Sequence, residues 1–301
     1  MTTTKDNLAL VVLCSTLGYT PEKSSVKPLT IAAYNKLEAR LNEMGFTPSL
    51  FLNERMSDIC EWLLLDEKEA AHLEALLLRA DKLGEELERL AEKNIYVTSR
   101  TQDNYPAKLK NAMGAKAPVI FFFCGEIRLL EAETVAIIGS REVTEGEHEY
   151  AAKHARISAQ NGKIVISGGA KGIDTIAKEA ALSAGGKVIT YVSDNMTGYI
   201  EKNADYIRWD RMLVLSAFHP DAGFQGYNAL ERNKFIYASS DYAVVVSSGD
   251  GTGGSFKGAV ECLKKKYCPV YVKDDEHASL GNKKLIELGG LPLNEAHERL
   301  L

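Results

Sequence analysis

The sequence predicts a two-part protein, with a doubly wound, mainly parallel α/β sheet preceded by a smaller all-helical N-terminal domain. Three observations carry this. From residue 131 onward, short apolar runs alternate with amphipathic stretches, the pattern of strand–helix–strand units. Three of the apolar runs end in glycine-bearing turns. Residues 1 to about 93, in contrast, carry apolar side chains at helical spacing only.

In the N-terminal part, Leu8 to Leu17 is a first apolar segment, ended by Gly18 and the Pro21 region. Thr30 can cap a helix bearing Ile31, Tyr34, Leu37, Leu41 and Met44, which stops at Gly45. Ser57 to Leu65 reads as a short helix. Asp66 opens a longer one, with Leu73, Leu76, Leu77, Ala80, Leu83, Leu87 and Leu90 on one face. Its charges form a solvated face. Ile95 to Thr98 is a short β-like run, and Val119 to Phe123 is a strand ended at Gly125. The boundary between the helical domain (1–93) and the α/β domain (94–301) falls in this region.

In the α/β part, strands are expected at Val135–Ile138, 163–166, Val188–Val192, Leu213–Leu215, Ala243–Val246 and Val270–Val272. Helices are expected around Tyr150–Ser158, over 172–184 with Gly185-Gly186 as its stop, and over 228–238, 254–266 and 282–288.

Hydrophobic content of 45% and charged content of 26% are those of an ordinary globular chain. No apolar run approaches a membrane span, and the N-terminus has no leader pattern, so a cytoplasmic protein is expected. Cys14, Cys60, Cys124, Cys262 and Cys268 form no C-x-x-C pair and no closed disulfide framework. No histidine stands at metal spacing from a cysteine, so neither metal nor cofactor is expected. The net charge of −5 argues against indiscriminate polyanion binding. However, residues 66–93 alone hold nine acids and five bases. The rest is close to neutral and can carry a local basic patch.

The chemistry gathers at the three glycine turns. The first is Gly139-Ser140-Arg141, where Arg141 can grip a phosphate with its planar fork. The second is Ser167-Gly168-Gly169-Ala170-Lys171-Gly172-Ile173-Asp174, a strand–turn–helix start with a lysine in the turn. The third is Gly249 to Ser255, with Thr252, Gly253, Gly254 and Ser255 opening a helix. All three follow strands at their carboxyl ends, where ligands of such sheets bind. Together they predict an anion or nucleotide site. Neither the P-loop pattern nor the dinucleotide fingerprint is met. Asp174 reads as a first-turn acid suited to the helix dipole, and Glu261 as a helix-surface residue. The histidines are scattered and there is no G-x-S-x-G, so no catalytic constellation is visible and an enzyme is not expected.

Across roughly residues 105–290, these segments resemble the DNA-processing protein A family (DprA, also called Smf). The resemblance rests on Tyr105-Pro106-Ala107-Lys108-Leu109, Val135 to Arg141, Ser167 to Asp174, Arg232-Asn233-Lys234-Phe235-Ile236, Gly253-Gly254-Ser255 and Ser279-Leu280-Gly281-Asn282. It implies a Rossmann-like fold that binds single-stranded DNA, forms a homodimer, and protects strands and helps load a RecA-type recombinase during natural transformation. It also implies a DNA pocket made by Ser140 and Arg141, by Lys171 with the amides around Gly168 to Gly172, and by Arg232 with its neighbours Asn233 and Lys234. Such a pocket would meet phosphates without reading bases.

The chain departs from the family pattern in places. Lys234 stands where the family has a second arginine, keeping charge but losing the fork. Asp194-Asn195-Met196-Thr197-Gly198-Tyr199 replaces a usual Gly-x-Asp…Tyr-Pro segment, and the third turn is widened, with Asp250 beside it. With the sequence ending at Leu301, the winged-helix module that many members carry is not expected. The alternative reading is a nucleotide-derived small-molecule sensor or a phosphoribohydrolase-like enzyme of the related superfamily. That hydrolase pattern wants a glutamate a few residues after Gly251-Thr252, whereas Glu261 comes nine residues after Thr252.

Overall fold

The computed structural model describes residues 4–18 and 26–294, so the Pro21 region lies outside the described residues. The chain divides into two compact units. The first comprises Met1–Tyr105, Ala115–Phe123 and Ala217–His219, and the second comprises Pro106–Gly114, Cys124–Ser216 and Pro220–Leu301.

The first unit begins with six helices: α1 (Lys5–Cys14), α2 (Ile31–Glu43), α3 (Leu50–Asn53), α4 (Met56–Leu63), α5 (Glu67–Leu77) and α6 (Ala80–Glu92). Thr30 caps α2 by accepting from the Ala33 amide at 3.2 Å. Asp66 and Glu69 form a reciprocal capping box at the start of α5. Leu13, Leu37, Leu41, Phe51, Ile59 and Leu76 close the core between these helices. Strands β1 (Tyr96–Ser99) and β2 (Ile120–Gly125) then pair antiparallel, with Tyr96 opposite Phe123.

The single helix expected from Asp66 onward is two helices. The chain breaks at Leu78 and Arg79, although the apolar spacing runs through the break. The cause is Arg79, which is 7% exposed. Its guanidinium turns inward and donates to the carbonyls of Val12 at 2.6 Å and Ser15 at 3.3 Å. These are carbonyls at the end of α1 that its own ladder leaves open.

The second unit contains α7 (Ala107–Met113), β3 (Thr134–Ile138), α8 (Glu145–Gln160), β4 (Ile164–Ser167), α9 (Ile173–Ser183), β5 (Val188–Tyr191), α10 (Met196–Lys202) and α11 (Ala204–Arg208). It continues with β6 (Met212–Ser216), α12 (Gly226–Ala238), β7 (Tyr242–Val245), α13 (Gly253–Lys265), β8 (Val270–Lys273), α14 (Leu280–Glu287) and β9 (Leu291–Leu293). Its strands lie in the order β6-β5-β4-β3-β7-β8-β9, all parallel. Val135, Val165, Val188, Leu213 and Val245 are buried, as expected for strands covered on both faces. The expected doubly wound sheet is therefore present, with helices α7, α10 and α11 and strand β9 in addition to the elements read from sequence.

The order of the strands locates the site. From β3 the chain winds outward through β4, β5 and β6, then crosses back and winds the other way through β7, β8 and β9. The turns leaving β3 and β7 therefore run to opposite sides. A crevice opens between their carboxyl ends, the position where ligands enter such sheets.

Candidate functional site

The three glycine turns meet at that crevice and are stitched to one another. The amide of Ser140 donates to Ser247 Oγ at 3.2 Å, tying the first turn to the end of β7. Ser255 Oγ donates to the Gly139 carbonyl at 2.6 Å, tying the third turn to the first. The amide of Ile173 donates to the Ser140 carbonyl at 3.1 Å, tying the second turn to the first. Gly172 makes this last approach possible. Its φ is +83°, and a Cβ there would lie 2.3 Å from the Ser140 carbonyl oxygen.

Two adjoining clefts result. One, of about 470 Å³, is lined by the first turn, the third turn and the start of α12. The other, of about 520 Å³, is lined by the second turn, the Val192–Asn195 segment, Tyr199 and Lys202. Arg141, Ala170, Lys171, Phe224 and Arg232 line both. Arg141 and Lys171 are exposed, so two full positive charges stand where the clefts join. Glu142 and Asp194 are the acids on the two rims.

Arg232 has a different surrounding. It is 5% exposed, and Asp174, at 7%, is its counter-ion, with Nη1 and Oδ2 3.4 Å apart. Oδ2 of Asp174 also accepts from the amides of Gly168 at 3.1 Å and Ala170 at 3.3 Å. Two amides of the second turn are thus directed to an internal carboxylate. Burial raises the Asp174 carboxyl above its ordinary range, opposed by Arg232 and the two amides. Burial likewise lowers Arg232, opposed by Asp174. The guanidinium lies against the backbone of Gly168, where a Cβ would fall 1.1 Å from Nη1. The Nε of Arg232 and the hydroxyl of Tyr237, both buried, have no hydrogen-bond partner.

The other residues singled out in the sequence divide into two groups. Gly139, Ser140, Gly168, Gly169, Asn233, Gly253, Gly254 and Ser255 line one cleft or the other. Ser140 Oγ accepts from the Glu142 amide at 3.2 Å. Asn233 Nδ2 donates to the Gly254 carbonyl at 3.1 Å and so braces the third turn from α12. Ser167, Gly172 and Lys234 are not part of the lining. Ser167 is buried and donates to the Asp174 carbonyl at 3.3 Å. Lys234 pairs with Glu231 at 2.5 Å and Glu261 at 3.5 Å. Asp250 pairs with Lys284 at 2.5 Å.

Phe224 and Lys202 are lining residues that the sequence reading missed. Phe224 is 63% exposed, and the Arg141 guanidinium stands 5.9 Å from its ring centre. The approach to Phe224 is pinned to α10. The amide of Asn195 donates to the Ala222 carbonyl at 2.8 Å, and Thr197 Oγ1 donates to Asp221 Oδ1 at 2.7 Å. Lys202 projects from α10, in a segment whose sequence carries no clear periodicity. An exposed aromatic within a glycine-flanked stretch between strand and helix, Gly223-Phe224-Gln225-Gly226, was the available signal.

Fold and crevice together define a Rossmann-like protein with a basic, glycine-walled cleft at its topological switch point. The sequence profile of the DNA recombination-mediator protein A family matches residues 96–300, and the chain belongs to that family. It is 33% identical over 157 residues to DNA processing protein DprA of Streptococcus pneumoniae, across 51% of this chain and 54% of that protein. The matched stretch thus spans about half the length of that relative. It is 25% identical over 240 residues to DprA of Bacillus subtilis, across 75% of this chain and 79% of the relative. The X-ray structure of the S. pneumoniae protein superposes with a TM-score of 0.67 at 22% identity, covering 90% of this chain and 97% of that one. DNA processing protein A from Helicobacter pylori, described for its single-stranded DNA binding mode, superposes with a TM-score of 0.56 at 26% identity, covering 68% and 94%.

Proposed function

We propose that the protein binds single-stranded DNA across the two clefts and acts in DNA processing and recombination, sheltering strands and aiding the loading of a recombinase. One observation carries this reading most directly. Arg141 and Lys171 stand exposed on the ridge between two connected clefts, so an extended backbone crossing the ridge would meet both cations in succession. Lys202 adds a third positive charge at the far cleft. The H. pylori relative, described for binding single-stranded DNA, supports the same reading.

Within this site, Arg141, Lys171 and Lys202 are the direct phosphate contacts. Arg232 works from beneath, holding the second turn through Asp174, and Asn233 holds the third. Phe224 offers a face on which a base can stack. The hydrolase alternative is not favoured, because Glu261 pairs with Lys234 and does not line either cleft. We read the protein as a binding protein that works as a homodimer.

Fluorescence anisotropy with labelled oligo-dT tests this, against a duplex of equal length and against single nucleotides. Salt-sensitive binding that prefers the single strand, and that falls on Arg141→Ala and Lys171→Ala, is expected. Equal binding by wild type and both variants would refute it. Sedimentation of the free protein and of a mixture with a RecA-type recombinase tests the two partners.

A further inference from the structure

Cys262 and Cys268 stand apart from the other cysteines. Cys262 lies in the last turn of α13, and its sulfur is 3.8 Å from that of Cys268. The geometry has a local cause. Lys266 ends the helix in the left-handed conformation, φ +56°, and the amide of Tyr267 donates back to the Cys262 carbonyl at 3.3 Å. The chain therefore reverses and lays Cys268 over Cys262 before β8 begins. Cys262 is fully buried and Cys268 is half-buried.

We propose that Cys262 and Cys268 form an oxidation site that peroxides convert to an internal disulfide. The first sulfur to ionise attacks the peroxide and cleaves its O–O bond; it becomes a sulfenic acid, and the hydroxide set free takes the thiol proton and leaves as one water. The second sulfur attacks that sulfenic sulfur, the S–S bond forms, and the sulfenic oxygen leaves as hydroxide, which takes the second thiol proton to become a second water. The two electrons given up by the sulfurs are those the peroxide bond accepts.

The surroundings make Cys262 the more readily ionised sulfur of the pair, while the hydrogen bond to Cys262 and burial hold the Cys268 thiol well above the ordinary range. The Cys268 thiol and nearby backbone amides donate to the ionised form of Cys262 and hold its pKa below the ordinary thiol range against the opposing effect of burial. Elsewhere burial works the other way, pushing Cys124 up to about 11 and Cys14 higher still. This reading is independent of DNA binding.

The test uses the full-length reduced chain treated with hydrogen peroxide. Free thiols counted under denaturing conditions are expected to fall from the five in the sequence to three, and to return with dithiothreitol. Trypsin cuts at Lys264, Lys265 and Lys266, so mass spectrometry is expected to find peptide 258–264 joined to peptide 267–273. Cys268→Ser and Cys262→Ser are each expected to abolish the linked species. Five surviving thiols, or losses spread over Cys14, Cys60 and Cys124, would overturn the proposal. The wild-type measurement decides it even where a variant folds poorly.

Discussion

The carboxylate of Asp174 meets the guanidinium of Arg232 at 3.4 Å beneath the second turn, and both side chains are almost wholly buried. Removing one member leaves the other charge buried without its partner, which typically costs about 3–5 kcal/mol. Asp174→Asn is expected to destabilise the fold by roughly that amount in urea unfolding. The double variant Asp174→Asn/Arg232→Gln is expected to recover part of the loss, because no lone charge remains. Strictly additive losses would show that the two residues act separately.

Salt dependence separates direct phosphate contacts from residues that act through the turn. For a single strand, removing one cation–phosphate pairing lowers the slope of log K against log salt by about 0.7. Arg141→Ala and Lys171→Ala are expected to flatten the slope by that step. Arg232→Gln is expected to weaken binding with the slope unchanged, since its charge is already matched by Asp174. Lys234→Ala, in a side chain held by Glu231 and Glu261, is expected to leave both affinity and slope as they were.

Gly168→Ala tests the close packing of the second turn on α12. The added methyl would fall 1.1 Å from Arg232 Nη1 and 2.6 Å from Asp174 Oδ2, so the ion pair must shift or break. Loss of oligo-dT binding together with a lower melting temperature is expected. Gly146→Ala, at a helical position where a Cβ meets nothing within 4 Å, is the control: it should leave binding unchanged and not lower the melting temperature.

Base stacking on Phe224 is expected to contribute about 1–3 kcal/mol. Phe224→Ala should weaken oligo-dT binding accordingly, and Phe224→Trp should restore it. An oligomer with abasic sites should bind wild type and Phe224→Ala equally. A matching drop on the abasic oligomer would place the effect in the backbone contacts instead.

Glu126, which accepts from the amide, Nε and Nη2 of Arg128 at 2.8–3.0 Å, is expected to contribute a modest share of the acid lability. These hydrogen bonds hold its carboxyl at about 2, below its ordinary 4.5. Because the folded value is depressed, the stabilisation is full above the unfolded pKa and drains as pH falls from about 4.5 towards 2. Glu126→Gln should flatten the fall in melting temperature over that window and leave its slope near neutrality unchanged.

The sheet was legible because its strands are unbroken apolar runs and its turns carry glycine, both local signals. Helix starts such as Thr30 and Asp66 were legible for the same reason. Other features depended on distant chain. Nothing around Arg79 shows that its guanidinium reaches carbonyls of α1, so one helix was expected where two occur. Arg232 and Lys234 look alike in sequence, two residues apart. Only the rotation of α12 against the sheet sends one beneath the turn and the other to Glu231 and Glu261.

The short bonds joining Gly139 to Ser255, Ser140 to Ile173 and Gly254 to Asn233 have a kinetic meaning. On the proposed reading, an arriving strand would find the walls already arranged and have only its own segments to immobilise. Capture should then be quick and governed by charge at a distance, so differences among strands should show mainly in how long each one stays.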